Sequence, residues 1–193
     1  MFPLSRPMTC AGLAAALVAF SVAVQAQPAT DASAQIRRTS YGVPHIVAKD
    51  ERGLGYGVGY AYAQDNLCLL ANEVLTVSGE RSRHFGAMGK TLEQRDNLTS
   101  DLFFTWLNSP TAVDAFLQAQ PAQVQALLAG YASGYNRALA ERRREGLPAE
   151  CGSGEWLRSI TSQDLVKLTR RLLAEGGIGQ FVEALAGAHP PAA

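Results

Sequence analysis

Four glycines at alternate positions, Gly53, Gly55, Gly57 and Gly59, interleave with bulky residues in GLGYGVGYAYAQDNLCLL (53–70), and no other stretch restricts the fold so severely. In a helix each of them costs about 1 kcal/mol relative to alanine, so something must approach the backbone closely there. The spacing lacks the third glycine of a dinucleotide-binding loop and no hydrophobic strand runs into it, which argues against a Rossmann reading. As a helix, the segment places Gly55 and Gly59 one turn apart, cutting a groove for a second element beside Tyr56, Tyr60 and Leu67. Asp50 is an N-cap candidate, Gly79 a stop after Ser78, and Leu67, Leu70, Ala71 and Val74 share a core-facing side.

Upstream, Ile36-Arg37-Arg38-Thr39 and His45-Ile46-Val47-Ala48 read as extended segments around Tyr41-Gly42-Val43-Pro44. Pro44 keeps Val43 out of the helical region and Gly42 permits a reversal. Two strands form no stable sheet alone, so they are expected to complete a sheet supplied from elsewhere. Residues 80–97 are charged and punctuated by glycine, predicting a solvated loop with a short turn. From Ser100 the chain reads as helical. Leu102, Phe103, Trp106 and Leu107 make one apolar helix, Pro110 separates it from 111–119, and Pro121 opens a long helix where its missing N–H costs nothing. In that helix Val124, Leu127, Leu128, Tyr131, Tyr135 and Leu139 recur at helical spacing, and Gly130 and Gly134 repeat the one-turn glycine interval. Arg142-Arg143-Arg144 suits its C-terminal end. After a break over 146–155, Thr161 and Asp164 resemble a capping box for a helix over 163–175. Its apolar arc comprises Leu165, Val166, Leu168, Thr169, Leu172 and Leu173, with Asp164, Arg171 and Glu175 along one border and Arg171 able to pair with Glu175. Such a helix can line a pocket or merely pack. Gly176-Gly177 ends it, and a short helix through Phe181, Val182 and Leu185 follows.

Lysine plus arginine and aspartate plus glutamate both number 17, and no basic stripe points to nucleic acid. Residues 1–26 have the plan of a signal peptide: Arg6 near the start, an apolar run over 11–24, and Val24-Gln25-Ala26 as a small-x-small cleavage site. That run is shorter than the roughly 20 residues a spanning helix needs, so a periplasmic location without a membrane anchor is expected. Residues 27–187 then make one domain, with 188–193 a tail near a processing boundary. Export leaves Cys68 and Cys151 as an even pair, expected to be a disulfide. His45, His84 and His189 are isolated, which predicts no histidine metal site. Asn97-Leu98-Thr99 matches a glycosylation sequon and is discounted because the chain looks bacterial. Asp65 and Glu73 fall on about the same helix face but have no substrate between them. Ser153 in Cys-Gly-Ser-Gly lacks the strand and G-x-S-x-G pattern of a nucleophile elbow. No nucleophile, base and oxyanion hole converge, so no catalytic residue is expected in this chain.

YGVPHIVAKDERGLGYGVGYAYAQDN, SGERSRHFG, the Tyr-x-x-Gly-x-Asn pattern in LLAGYASGYNRAL, and TRRLLAEGG occur in that order. Together, from about Ile36 onward, they resemble the α chain of penicillin-acylase-type N-terminal-nucleophile hydrolases, and within them the acyl-homoserine lactone acylases. The resemblance implies an α+β fold, in which a mostly helical α subunit contributes strands and covering helices to a four-layer αββα core formed with a β subunit. It implies an exported precursor that excises a spacer, and a β chain whose N-terminal serine attacks an amide with its own α-amine as base. By the match of TRRLLAEGG, Leu172 takes the pocket-gate position where penicillin G acylases carry an aromatic, and Leu168 and Arg171 take neighbouring substrate-binding positions. A leucine there leaves room for a long, straight acyl chain. Glu175 lies near a calcium-binding glutamate of some relatives, but the spacing around it differs; no cofactor is expected, calcium being the one option left. Other readings stay open: an acylase for penicillin, cyclic lipopeptide or siderophore-precursor amides, an exported helical binding module, or an independent hydrolase using Asp65 or Glu73.

Overall fold

A computed structural model describes residues 32–190. The expected signal peptide and the last three residues of the tail lie outside the described residues. Strands β1 (Ala34–Arg38) and β2 (Pro44–Ala48) precede helices α1 (Glu51–Ser78), α2 (Arg81–Phe85), α3 (Asn97–Leu107), α4 (Pro110–Gln118), α5 (Ala122–Glu145), α6 (Ser162–Glu175) and α7 (Val182–Ala186). Single 3-10 turns, Ala149–Cys151 and Ile178–Phe181, interrupt the later connections.

The strands and helices α3, α5 and α6 all pack on α1, and its glycines show why two of these partners come so close. A Cβ on Gly55 or Gly59 would come closer than 3.0 Å to the carbonyls of Leu127 and Tyr131 in α5. The relation is reciprocal, since a Cβ on Gly130 or Gly134 would strike the carbonyls of Arg52 and Tyr56. Two glycine pairs therefore bring the two backbones into contact, which any larger residue would prevent. The other two glycines serve a different partner. Gly53 and Gly57, about 200° around the helix, face the strands, where a Cβ on Gly57 would meet Ala34 Cβ at 2.8 Å and one on Gly53 would meet Ala48 Cβ at 3.1 Å. The sequence predicts one groove; the alternation makes two.

Asp50 caps α1 by accepting from Gly53 N at 2.7 Å, and Gly79 ends it with φ 66°. Both termini agree with the sequence reading. The strands form an antiparallel hairpin in the register Ala34↔Ala48, Ile36↔Ile46 and Arg38↔Pro44, turning at Gly42 with φ 81°. Among the described residues they pair only with each other and lie against α1, because Ile36 and Ile46 need cover that the glycine face supplies. Arg38 fastens the hairpin, donating to Gly42 O at 2.8 Å and to Asp65 at 2.9 Å.

The main core joins Leu67, Leu70 and Val74 of α1 to Tyr135 and Leu139 of α5 and Leu165 of α6. A smaller one holds Val77, Phe103, Phe104 and Val182. Tyr135 is fully buried, and burial pushes its hydroxyl pKa up to about 12. Tyr135 and Leu139 of α5 are core, as their spacing predicts, with Leu128 and Tyr131 partly buried against them, whereas Val124 at the start of the stripe is exposed. Cys68 and Cys151 form a disulfide with Cα atoms 5.1 Å apart across a separation of 83 residues. On the chain-entropy picture a loop that long is worth up to about 4–5 kcal/mol.

Two expectations need correcting. Residues 80–97 are largely exposed, as their composition predicts, but they are more than a solvated loop: they open with helix α2, and buried Arg81, Thr91 and Asn97 organise them. Arg81 donates from Nε to Asn97 Oδ1 at 2.8 Å and from Nη2 to Lys90 O at 3.0 Å, while Asp101 accepts from the N–H groups of Arg81 and Ser82 at 3.1 and 2.7 Å. A buried guanidinium is tolerated only when its donors find acceptors, and these acceptors come from residues distant in sequence. The sequon asparagine is accordingly a core residue: Asn97 is inaccessible and donates to Gly86 O at 2.9 Å. Second, the apolar face of α3 is divided, with Phe103 and Phe104 buried but Leu102 and Trp106 exposed. Likewise only Val182 of the terminal trio is buried, Phe181 and Leu185 being exposed.

Candidate functional site

Helix α6 carries the residues the sequence singles out, and three separate fastenings hold it. Its start is a complete capping box: Asp164 N donates to Thr161 Oγ1 at 3.4 Å and Thr161 N donates to Asp164 Oδ2 at 2.9 Å. Asp164 is buried and also receives two 2.9 Å hydrogen bonds from the Arg158 guanidinium and one of 3.3 Å from Lys167. Burial alone would raise its pKa, but the hydrogen bonds and charge of Arg158, the Thr161 N–H and the charge of Lys167 outweigh this and hold it at about 2. Arg158 also reaches Glu80, just past the end of α1, at 3.2 Å and donates to Ser78 Oγ in the last turn of α1 at 3.2 Å, so the end of α1 and the first turn of α6 share one polar network. The connection just before α6 is pinned by Asn136, which exchanges hydrogen bonds of 2.8 and 2.9 Å with the Ile160 backbone.

The middle fastening is Arg170, which donates to Leu107 O at 2.6 Å and Asn108 Oδ1 at 3.1 Å, with its guanidinium 5.9 Å from the Phe116 ring centroid. The third is Arg171. Its guanidinium pairs with Glu73 of α1, with Glu93 of the α2–α3 connection at 2.5 Å and with Glu175 at 3.3 Å. The expected pair with Glu175 is therefore present. Asp164, placed on the same border by the helical projection, belongs to the separate Arg158 network.

On the outer side no residue described covers the leucines. Leu172 is 67% and Leu173 70% exposed, whereas Leu168 is half-buried against both cores. The three expected pocket positions thus separate: Leu168 is anchored, Leu172 projects one turn later, and Arg171 is turned into an ion cluster. A cavity of about 220 Å³ opens on the Arg171 side, between Glu93, Arg95, Phe103, Glu175 and Val182.

Asp65 and Glu73 do not form a pair, since each is taken by an arginine, Arg38 and Arg171 respectively. Ser153 accepts only from Glu155 N, at 3.5 Å, and no hydrogen bond from it to a base occurs among the described residues. No group of three or more histidine, cysteine or acidic side chains among the described residues is disposed to hold a metal, and the Glu175 carboxylate faces Arg171. No described helix is long and apolar enough to cross a membrane. Sequence reasoning missed Arg158, Arg170 and the pairing of Arg171 with Glu73 and Glu93. Their partners lie 62 or more residues away in most cases, and no local pattern marks them.

Comparison with known proteins identifies what kind of chain carries this helix. The chain is 88% identical over 192 residues to acyl-homoserine lactone acylase PvdQ of Pseudomonas putida, a match covering 99% of this chain and 25% of that protein. It is 62% identical over 191 residues to the protein of the same name from Pseudomonas fluorescens strain Pf0-1 (98% and 24% covered), and 36% identical over 172 residues to aculeacin-A acylase of Actinoplanes utahensis (83% and 21%). It spans about a quarter of the length of these curated relatives. A thermostable penicillin G acylase from Alcaligenes faecalis superposes with a TM-score of 0.60 at 25% identity, covering 83% of this chain and 95% of the matched chain. With residues 33–191 also matching the penicillin amidase model, the chain belongs to the penicillin amidase family.

Proposed function

We propose that this chain is the α part of a periplasmic amidohydrolase that cleaves the amide of long-chain N-acyl-homoserine lactones, releasing a fatty acid and homoserine lactone. The observation that carries the reading is the 88% identity, over nearly the whole chain, to a protein named for that activity. Support also comes from what the chain lacks among its described residues: serine, base and oxyanion donors in one place. In this reading the nucleophile is the N-terminal serine of a β subunit cut from the same precursor, its hydroxyl adding to the amide carbonyl while its α-amine takes the proton. The hairpin and the covering helices join a four-layer αββα core with that subunit, whose strands would pair with the open edges of β1 and β2.

The role of this chain is to wall the acyl pocket. Leu172 is the gate, with Leu168 beneath it and Arg171 beside it, and a leucine in place of a ring admits a long alkyl chain. We assign no cofactor. Residues 1–26 serve export and are removed. A second reading, removal of the acyl chain of a cyclic lipopeptide, is favoured by the 36% identity to aculeacin-A acylase.

The test is expression of the full-length gene, mass spectrometry of the mature termini, and an assay of free amine released from N-acyl-homoserine lactones of graded chain length and from an acylated cyclic peptide. Self-cleavage to a serine-initiated second chain and preference for long acyl lactones are expected. An unprocessed product, or one inert toward every acyl amide, sinks the reading. Within it, Leu172→Trp is expected to shift preference toward shorter chains by roughly tenfold, since a methylene of pocket space is worth about 1–3 kcal/mol; an unmoved chain-length profile removes Leu172 from the pocket.

A further inference from the structure

Arg171 has every guanidinium nitrogen engaged: Nη1 with Glu73, Nη2 with Glu93 and Nε with Glu175. Its side chain is only 17% exposed, so most of the guanidinium is turned into the carboxylate cluster and little of it is open to a substrate. The three carboxylates differ in what they attach. Glu175 lies in α6 itself and cannot position it. Glu93 belongs to an irregular connection and is 40% exposed. Glu73 is 20% exposed and sits in α1, the helix against which the rest of the fold is built, two turns before its Gly79 terminus.

We propose that Glu73 is a positioning residue for acyl-chain length: through Arg171 it sets where the turn carrying Leu172 stands relative to α1. The inference rests on the pocket reading above and adds a residue that touches no substrate. A planar guanidinium held at both ends of its fork fixes direction as well as distance. Leu172 is joined to Arg171 by one peptide unit and is 67% exposed, so little else among the described residues holds its side chain. Of the three fastenings of α6, the one at Arg171 lies nearest Leu172 in the chain and bears most directly on where that leucine stands. Because two carboxylates remain when one is lost, a single substitution leaves the arginine paired and the fold intact.

The experiment uses the processed enzyme expressed from the full-length gene, with kcat and KM measured for a long-chain and a short-chain N-acyl-homoserine lactone. Glu73→Gln is expected to lower the long-to-short ratio of kcat/KM by roughly five- to tenfold, less than a full methylene of lost pocket space in its upper range. The change falls in KM for the long chain more than in kcat. Glu73→Asp, which keeps the charge on a shorter arm, restores part of the ratio, and Glu93→Gln moves it less than Glu73→Gln. A lowered melting temperature with an unmoved ratio would mean a purely structural ion pair and overturns the proposal. Leu172→Trp, run alongside, separates the two claims. If it shifts the profile while Glu73→Gln does not, only the positioning role falls; if neither shifts it, the pocket reading falls and takes the positioning role with it.

Discussion

At the scale of single residues, the glycines of α1 and α5 are the least replaceable positions, because their neighbours are backbone atoms that cannot rotate away. Gly59→Ala or Gly134→Ala is expected to destabilise the protein by about 2–4 kcal/mol, at or beyond the usual range for overpacking. Gly176→Ala is the matched control. A Cβ there meets nothing within 4 Å and the backbone is helical, with φ −75°, so the change is neutral or stabilises by about 0.5–1 kcal/mol. Urea midpoints of the three variants check both statements. Asp164 supplies a pH-dependent contribution. Its folded pKa of about 2 lies below the ordinary value of 3.8, so its stabilisation is complete above about pH 4 and is lost as pH falls toward 2. The difference is worth roughly 2 kcal/mol. Asp164→Asn should lose that much near neutrality and show a flatter stability profile between pH 4 and 2, as acid-unfolding curves would reveal.

Elements differ in how plainly the chain announces them. Asp50 and Gly79 around α1, and Thr161 with Asp164 at α6, are local devices whose partners lie within four residues, and each forms as the sequence implies. The segment 80–97 is only partly legible, for the opposite reason. Most of its charges face solvent as read, but Arg81 is satisfied by Asn72, Lys90, Asn97 and the cap from Asp101, and nothing local sets this buried arginine apart from its exposed neighbours. The same difference disposes of the sequon. Expressed in a glycosylating host, the protein should carry no glycan at Asn97, measurable by intact mass, and Asn97→Ala should cost about 2–3 kcal/mol by leaving a buried guanidinium short of an acceptor. The disulfide tethers the connection before α6 to α1. Cys68→Ala/Cys151→Ala should lower stability by up to about 4–5 kcal/mol, and reductant should then have no further effect on the melting temperature.

Across the whole molecule, apolar side chains remain uncovered on several elements: Leu54, Val58, Tyr62 and Leu69 along one stripe of α1, Leu102 and Trp106 on α3, and Leu172 and Leu173 on α6. Where such side chains adjoin, they form the kind of apolar surface that a partner covers. Produced alone, residues 27–193 should bind a hydrophobic dye and self-associate, and co-production with the remainder of the precursor should abolish both, which light scattering and dye fluorescence would follow. From the sequence alone came the longer helices, the caps of α1 and α6, the close-packing role of the glycines, the cysteine pair and, by resemblance, the family, because each rests on neighbours along the chain or on a motif that stands in order. Only the tertiary structure decided which glycine pair meets α5 and which meets the hairpin, that Arg81 and Asn97 are interior, and that Arg171 is bound to Glu73 and Glu93. A glycine has no side chain to declare its partner, and an ion pair between residues nearly a hundred positions apart leaves no periodicity to read.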